Sequence, residues 1–181
     1  RGPQWGVTRV IAAPVFRFEE AEHAYYLNDE RIHSITQLIK LGGLDDAEDF
    51  YTDAGRRRGQ DVHALTMAYD LGALDLASLQ SPERAAVLGY AAAVNALKPL
   101  TFHGERGWEC VEVADAHPVF RFGGRLDRVG VVLRRKTIAE LKRGAKAKHH
   151  AIQTALQSIL AEARWSLPAL PCHPRRHRCW S

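Results

Sequence analysis

The sequence is poor in cysteine and has no long apolar run, and both absences restrict the class of protein. Three of its 181 residues are cysteines, an odd number that does not suggest a disulfide framework. No run of about 18 apolar residues is present, so we expect no transmembrane helix. The N-terminal segment also lacks the pattern of a signal peptide. The sequence therefore predicts a soluble protein of the cytoplasm.

Length and charge set further bounds. With 181 residues, of which 46% are hydrophobic, the chain can bury a single substantial core, and we expect one domain over residues 1–165. Residues 166–181 are rich in proline, arginine, histidine and cysteine without periodicity, which predicts an irregular C-terminal tail. The formal net charge of +4 is compatible with a polyanionic partner, although it does not identify one.

Hydrophobic periodicity and turn residues predict alternating strands and helices. Two short strands, at residues 15–18 and 25–27, should form a small meander, and Ser34 should cap a helix that runs to Leu41. The remaining predicted elements are a helix at residues 45–71, a helix at 81–97 with Ser81 as its N-cap, strands at 108–114 and 120–133, and a helix at 145–163.

The chemistry is concentrated in Asp127 and, thirteen residues later, Glu140-Leu141-Lys142. Side chains alternate across a strand, so Glu140 and Lys142 point the same way. A hairpin loop with an even number of residues puts Asp127 on that face; the four residues 134–137, for example, would set Val131 opposite Glu140. A three-residue loop would turn Asp127 away. The spacing therefore predicts an even register or a compensating bulge.

Two carboxylates and an ammonium on one face suit metal-dependent hydrolysis of a phosphodiester. Carboxylate oxygens are the ligands that Mg²⁺ prefers, which makes Asp127 and Glu140 candidate ligands. Lys142 is placed to orient a metal-bound water or to stabilise charge on the phosphate. The alternative is that the acids are solvated strand residues and that Lys142 is their salt-bridge partner.

Further motifs precede and follow Asp127 and Glu140-Leu141-Lys142 along the chain. Between about Phe18 and Ala163 the chain contains Glu22-His23-Ala24-Tyr25, Ser34-Ile35-Thr36-Gln37-Leu38, Arg58-Gly59-Gln60-Asp61-Val62-His63, Glu112, Gly124-Arg125-Leu126-Asp127-Arg128-Val129, Glu140-Leu141-Lys142-Arg143-Gly144 and Gln153. In this order the chain resembles the PD-(D/E)XK nuclease superfamily, in particular its RecB-type and phage exonuclease branch. Two positions depart from the family pattern, since Leu126 replaces a proline and Gln157 replaces a frequent tyrosine.

The resemblance implies a fold and a set of site residues. The fold would be α/β with a restriction-endonuclease-like core, a central mixed β-sheet flanked by helices. His63, Asp127, Glu140 and the backbone carbonyl of Leu141 would hold the metal, with Gln153 supporting Lys142 or a metal-bound water. Glu112 matches an acidic support position, with an exposed strand residue as the alternative.

The implied cofactor is Mg²⁺ or Mn²⁺, and the imidazole of His63 favours Mn²⁺. Some relatives hold an iron–sulfur cluster on four cysteines, but three cysteines cannot supply those ligands, so none is expected here.

The implied activity is that of a metal-dependent deoxyribonuclease, an exonuclease that processes duplex ends in phage or bacterial recombination or repair. Its partners would be DNA, further copies of the chain in a homo-oligomer around DNA, and a recombination protein. It would act in the host cytoplasm if a phage encodes it, and no membrane partner is expected. The residues expected to contact DNA are basic: Arg57, Arg58, Arg125, Arg143, Lys146 and Lys148. The alternatives are a catalytically inactive DNA-binding or assembly module with this fold, and a metal enzyme with a non-nucleic substrate.

Overall fold

The computed structural model describes residues 14–44, 52–142 and 147–166. Over these ranges the elements are β1 (Phe16–Glu19), β2 (Ala24–Leu27), β3 (Glu30–Ser34), α1 (Ile35–Leu41), α2 (Asp53–Asp70), a 3₁₀ turn (Leu76–Ser78), α3 (Ser81–Leu97), β4 (Cys110–His117), β5 (Phe122–Val132), β6 (Arg135–Ala139) and α4 (Lys148–Ser166). No helix among them is long and apolar enough to cross a membrane. The predicted tail after residue 166 lies outside the described residues.

The strands form one mixed sheet in which β5 is central. The order is β1-β2-β3-β5-β4, and β6 also pairs with β5. The start of β5 runs parallel to β3, its end runs antiparallel to β6, and β4 lies antiparallel along its other edge. The predicted α/β class, a mixed sheet flanked by helices, is therefore confirmed at this level.

The N-terminal meander and its helix form where they were predicted, but the meander has a third strand, β3, that was not predicted. Asn28 and Asp29, with φ of 52° and 62°, make the left-handed turn between β2 and β3. Ser34 then caps α1: its hydroxyl accepts from the backbone N–H of Gln37, whose side chain accepts from the N–H of Ser34. This reciprocal capping box sets the helix start.

Three helix starts differ from the prediction, and one of them is that of α4, which was predicted from residue 145 and begins at Lys148. The helix predicted to begin at residue 45 begins at Asp53, because Thr52 is extended and its hydroxyl caps the N–H of Gly55. Residues 45–51 lie outside the described residues. In α3 the N-cap is Gln80, so Ser81 is already helical and Pro82 falls in the first turn, where its missing N–H costs no hydrogen bond.

The β5–β6 hairpin has the even register that was predicted, with a shorter loop. Val132 pairs with Arg135 and Val131 with Lys136, so the loop is the two residues Leu133 and Arg134 and not residues 134–137. Both adopt left-handed conformations, with φ of 50° and 64°, which close a two-residue hairpin. Val131 therefore lies opposite Lys136 and not opposite Glu140, and continuing the same register beyond Ala139 places Glu140 opposite Asp127.

The two faces of β5 are covered by different helices. Leu126 packs in a buried cluster with Ile35 of α1 and Leu160 of α4. Asp127, the next residue, lies 3.6 Å from His63 on α2. The sheet therefore buries its apolar side under α1 and α4 and presents the polar side chain of Asp127 to α2.

The Gly123-Gly124 pair at the start of β5 has a packing role. A Cβ at Gly123 would overlap the ring of Tyr25, which is 1% exposed in β2 and has no room to move. We expect Gly123→Ala to destabilise the fold by about 3 kcal/mol, the upper range for overpacking, and to lower Tm by roughly 10 °C. Thermal melts should show no such loss for Gly89→Ala, whose Cβ meets nothing within 4 Å.

His117, at the β4–β5 turn, should make the fold sensitive to acid. Its Nδ1 accepts the backbone N–H groups of Val119 and Phe120, which requires an unprotonated nitrogen, and burial lowers the pKa of the imidazole below 6.5. Stability is then full above pH 6.5 and is lost as pH falls through the window below it. We expect His117→Asn to flatten the dependence of Tm on pH between about 7 and 5; an unchanged slope would contradict this role.

Candidate metal centre

Three carboxylates lie side by side across neighbouring segments of the sheet. The pairs Val111–Arg128 and Val113–Leu126 flank Glu112 and Asp127, which places these two acids opposite one another. On the other edge of β5 the last β6 pair is Arg128–Ala139, and β6 ends there, so Glu140, Leu141 and Lys142 lie outside the strand in which they were predicted. Glu140 directly follows Ala139 and therefore lies next to Asp127.

The strand geometry is locally distorted at this point. Glu112 itself has φ of 50°, a conformation that non-glycine residues rarely adopt. Backbone strain of this kind clusters at functional sites.

Helix α2 adds His63 to two of these acids. Nδ1 of His63 lies 3.2 Å from Oε1 of Glu112 and 3.6 Å from Oδ1 of Asp127. One ligand atom from each of the three residues lies within 4.8 Å of the others. An imidazole and two carboxylates at this spacing could hold a divalent cation.

The three ionisable side chains of the group shift one another's pKa. Burial and the neighbouring charge of Glu140 raise the pKa of Asp127 to about 7. The hydrogen bond to Glu112 raises the pKa of His63 against the effect of burial. Burial opposes ionisation of Glu112, but His63 and two arginines lower its pKa below the usual value. A bound cation would displace protons from His63 and Asp127, so metal binding should release protons.

Glu140 lies outside the three-residue group and is held by α4. Its Oε1 accepts from Gln153 at 2.7 Å and lies 2.8 Å from Nζ of Lys142, while its Oε2 accepts from Gln157 at 2.6 Å. Lys142 also donates to Oε1 of Gln153 at 2.9 Å. We call Gln153 and Gln157, the two α4 residues that donate to Glu140, the glutamine clamp.

The predicted catalytic residues are thus close together, in two adjoining sets. Asp127 and His63 belong to the group that could bind metal, with Glu112, which the sequence suggested only as support. Leu141 joins the two sets, since its N–H donates to Oδ2 of Asp127 at 2.7 Å. Its role as a carbonyl ligand stays a prediction, as does direct metal binding by Glu140.

Two buried residues were not predicted to belong to the site. Gln157 is 1% exposed and also donates to the carbonyl of Arg125. It could have been indicated by its place one turn after Gln153 on α4, where the resembling family often has a tyrosine. Arg128 is 0% exposed and contacts Glu112. Nothing in a single sequence distinguishes a buried arginine from a solvated one.

A groove of about 2130 Å³ opens over the site, lined by residues of both sets. Of the residues predicted to contact DNA, Arg58 and Arg125 line it, and Arg57 is not among its lining residues. Arg125 is held by Glu20 at 3.2 and 3.3 Å and by Glu112 at 3.5 Å. Arg143, Lys146 and the side chain of Lys148 lie outside the described residues.

Comparison of the chain with protein-family models, with curated proteins and with solved structures finds no match. The site combines a partly buried group that could hold a cation with an ammonium that contacts two acceptors, in a groove whose lining includes arginines.

Proposed function

We propose that the protein is a Mg²⁺- or Mn²⁺-dependent nuclease that hydrolyses phosphodiester bonds in DNA. The observation that supports this most is the side-by-side placement of Glu112, Asp127 and Glu140, with His63 and Lys142 at the two ends of the row. A row of acids with one ammonium matches what phosphodiester hydrolysis requires, namely cation ligands and a positive group near the attacking water.

His63, Glu112 and Asp127 would hold the cation, which supplies Lewis acidity and a more acidic water when bound. Asp127 is buried, at 5% exposed, whereas the side chain of His63 is 32% exposed and can be reached by a cation from solvent. The N–H of Leu141 fixes one oxygen of Asp127 and leaves Oδ1 facing His63.

Lys142 would orient the attacking water and stabilise charge that develops on the phosphate. Its ammonium lies between the acceptors Glu140 and Gln153, so its position is set before substrate arrives. Gln157 would act through Glu140, because its amide holds the second carboxylate oxygen.

DNA as the substrate is supported by the groove. Arg56, Arg58 and Arg125 line it around the acids, and arginine forks suit phosphate oxygens. Processing of duplex ends in recombination or repair rests on the resemblance to phage exonucleases. A catalytically inactive DNA-binding module is the second candidate, and it is favoured by the hydrogen bonds that occupy both oxygens of Glu140.

The test is nucleotide release from linear and circular duplex DNA with Mg²⁺, Mn²⁺ or EDTA. We expect metal-dependent loss of linear DNA only, and Lys142→Ala should reduce it by about 10²–10³-fold, as loss of one fixed transition-state contact does. Lys136→Ala on β6 is the matched control, because that ammonium packs over Phe102 at 5.2 Å, away from the acids.

Cleavage of circles as well would make the protein an endonuclease. Absence of cleavage with either metal, together with DNA binding that survives Glu140→Gln, would contradict the nuclease and support the inactive module.

A further inference from the structure

Arg128 is a fully buried cation directly behind the metal-binding group. It follows Asp127 in β5, and none of its surface is exposed. Its Nη1 donates to Oε1 of Glu112 at 2.9 Å and to the backbone carbonyl of Asp127 at 2.7 Å. One nitrogen of the guanidinium therefore contacts two residues of the group at once.

The rest of the guanidinium is fixed by two helices. Nε donates to the carboxylate of Asp70 and to the hydroxyl of Tyr90 at 3.0 Å, and Nη2 donates to the hydroxyl of Thr66 at 3.0 Å. Tyr90 in turn donates to Asp70 at 2.6 Å and accepts from the indole of Trp108 at 3.2 Å. Every polar atom of Arg128 thus has a partner, so its orientation is determined.

Burying the charge of Arg128 is costly, and a purely structural contact would not require a buried charge. A buried charge requires compensating partners, and burying an arginine with its partners is often no more stabilising than an apolar core. The result here is that α2, which carries His63, is tied through Thr66 and Asp70 to the cation that holds Glu112. The same cation fixes both the histidine-bearing helix and the two acids.

We propose that Arg128 is a positioning residue for the metal centre: through Nη1 it sets the orientation of Glu112 and of the backbone at Asp127, and Tyr90 and Asp70 hold it in register with α2. The inference rests on the proposed metal site but not on cleavage of DNA. Because Glu112 Oε1 is shared by Arg128 and His63, rotation of the guanidinium would displace a donor of the group.

The test is direct binding of Mn²⁺ to the folded protein, measured by electron paramagnetic resonance of free Mn²⁺. Arg128→Lys keeps the charge but loses the fork that contacts several acceptors. Tyr90→Phe keeps the ring over Arg128 and removes only the hydroxyl. Val87→Ala, from the same helix as Tyr90 and 0% exposed, is the matched control for lost packing.

We expect Arg128→Lys and Tyr90→Phe to weaken Mn²⁺ binding by about 10–100-fold, the usual effect of outer-shell substitutions. Val87→Ala should leave the affinity unchanged at a temperature where circular dichroism finds each variant folded. If Arg128→Lys does not fold, Tyr90→Phe decides. Unchanged affinity in Tyr90→Phe would overturn the inference and leave the proposed nuclease intact. A wild-type protein that binds Mn²⁺ but cleaves no DNA would overturn only the proposed function, and one that binds no Mn²⁺ would overturn both.

Discussion

Asp127→Asn should lower metal-dependent cleavage by about a thousandfold or more. A bound cation supplies several kcal/mol of stabilisation in phosphodiester hydrolysis, and each 1.36 kcal/mol is about tenfold in rate. Asp127 lies at the centre of the acid row, between Glu112 and Glu140, and faces His63 at 3.6 Å. The neutral amide keeps the size of the side chain but removes the charge that attracts the cation.

The same substitution should stabilise the metal-free protein at neutral pH. Burial and the charge of Glu140 raise the pKa of Asp127 from 3.8 to about 7, so the folded state binds more protons than the unfolded state between these values. Its contribution to stability therefore falls as pH rises through this window. In EDTA at pH 8, Asp127→Asn should melt at a higher temperature than wild type.

The pH dependence of metal binding follows from the same ionisation. Below pH 7 a proton competes with the cation for Asp127, so this carboxylate alone should lower the affinity for Mn²⁺ by about tenfold per pH unit towards pH 5, in addition to the competition at His63. In Asp127→Asn this part of the dependence should disappear.

Three measurements separate these effects: the cleavage rate, the melting temperature in EDTA and the rise in Tm on adding Mn²⁺. Asp29→Asn is the matched control, because that aspartate lies in the left-handed turn before β3, where asparagine fits equally well. Retention of cleavage in Asp127→Asn, or a lower melting temperature in EDTA, would contradict the role that we assign to the carboxylate.

The sequence predicted the parts of the fold that depend on local patterns. Ser34 caps α1 because its hydroxyl and the side chain of Gln37 satisfy backbone groups only three residues away. The even register of β5 and β6 also follows from local periodicity, because side chains alternate with a period of two. The loop length did not follow, since Leu133 and Arg134 take left-handed conformations that their residue types do not favour.

The site could be predicted only in part for a similar reason. The acids and Lys142 carry recognisable chemistry at short spacings, and the sheet brings them together. The alignment of Glu112 with Asp127 depends on pairing between strands of distant sequence, and the burial of Arg128 depends on α2 and α3. Such long-range contacts leave no periodic signal in a single sequence.

Paired substitutions at Glu112 and Glu140 should identify the metal ligands. Glu112 shares an oxygen with His63 in the metal-binding group, whereas both oxygens of Glu140 accept hydrogen bonds from the glutamine clamp. We therefore expect Glu112→Gln to weaken Mn²⁺ binding by more than about a hundredfold, beyond the 10–100-fold that is typical of outer-shell substitutions. Glu140→Gln should weaken it by less than about tenfold, yet still slow cleavage strongly, because Lys142 loses its charged partner.

Asp70→Asn is the control for Glu112→Gln, because it removes a carboxylate from Arg128 without removing a donor of the group. Only a loss of affinity larger than that of Asp70→Asn counts as loss of a ligand. If Glu140→Gln weakens Mn²⁺ binding as much as Glu112→Gln does, Glu140 must leave the glutamine clamp to reach the cation. Glu140 would then be a ligand, as predicted from the sequence together with His63, Asp127 and the carbonyl of Leu141, and Gln153 and Gln157 would hold Glu140 only in the metal-free protein.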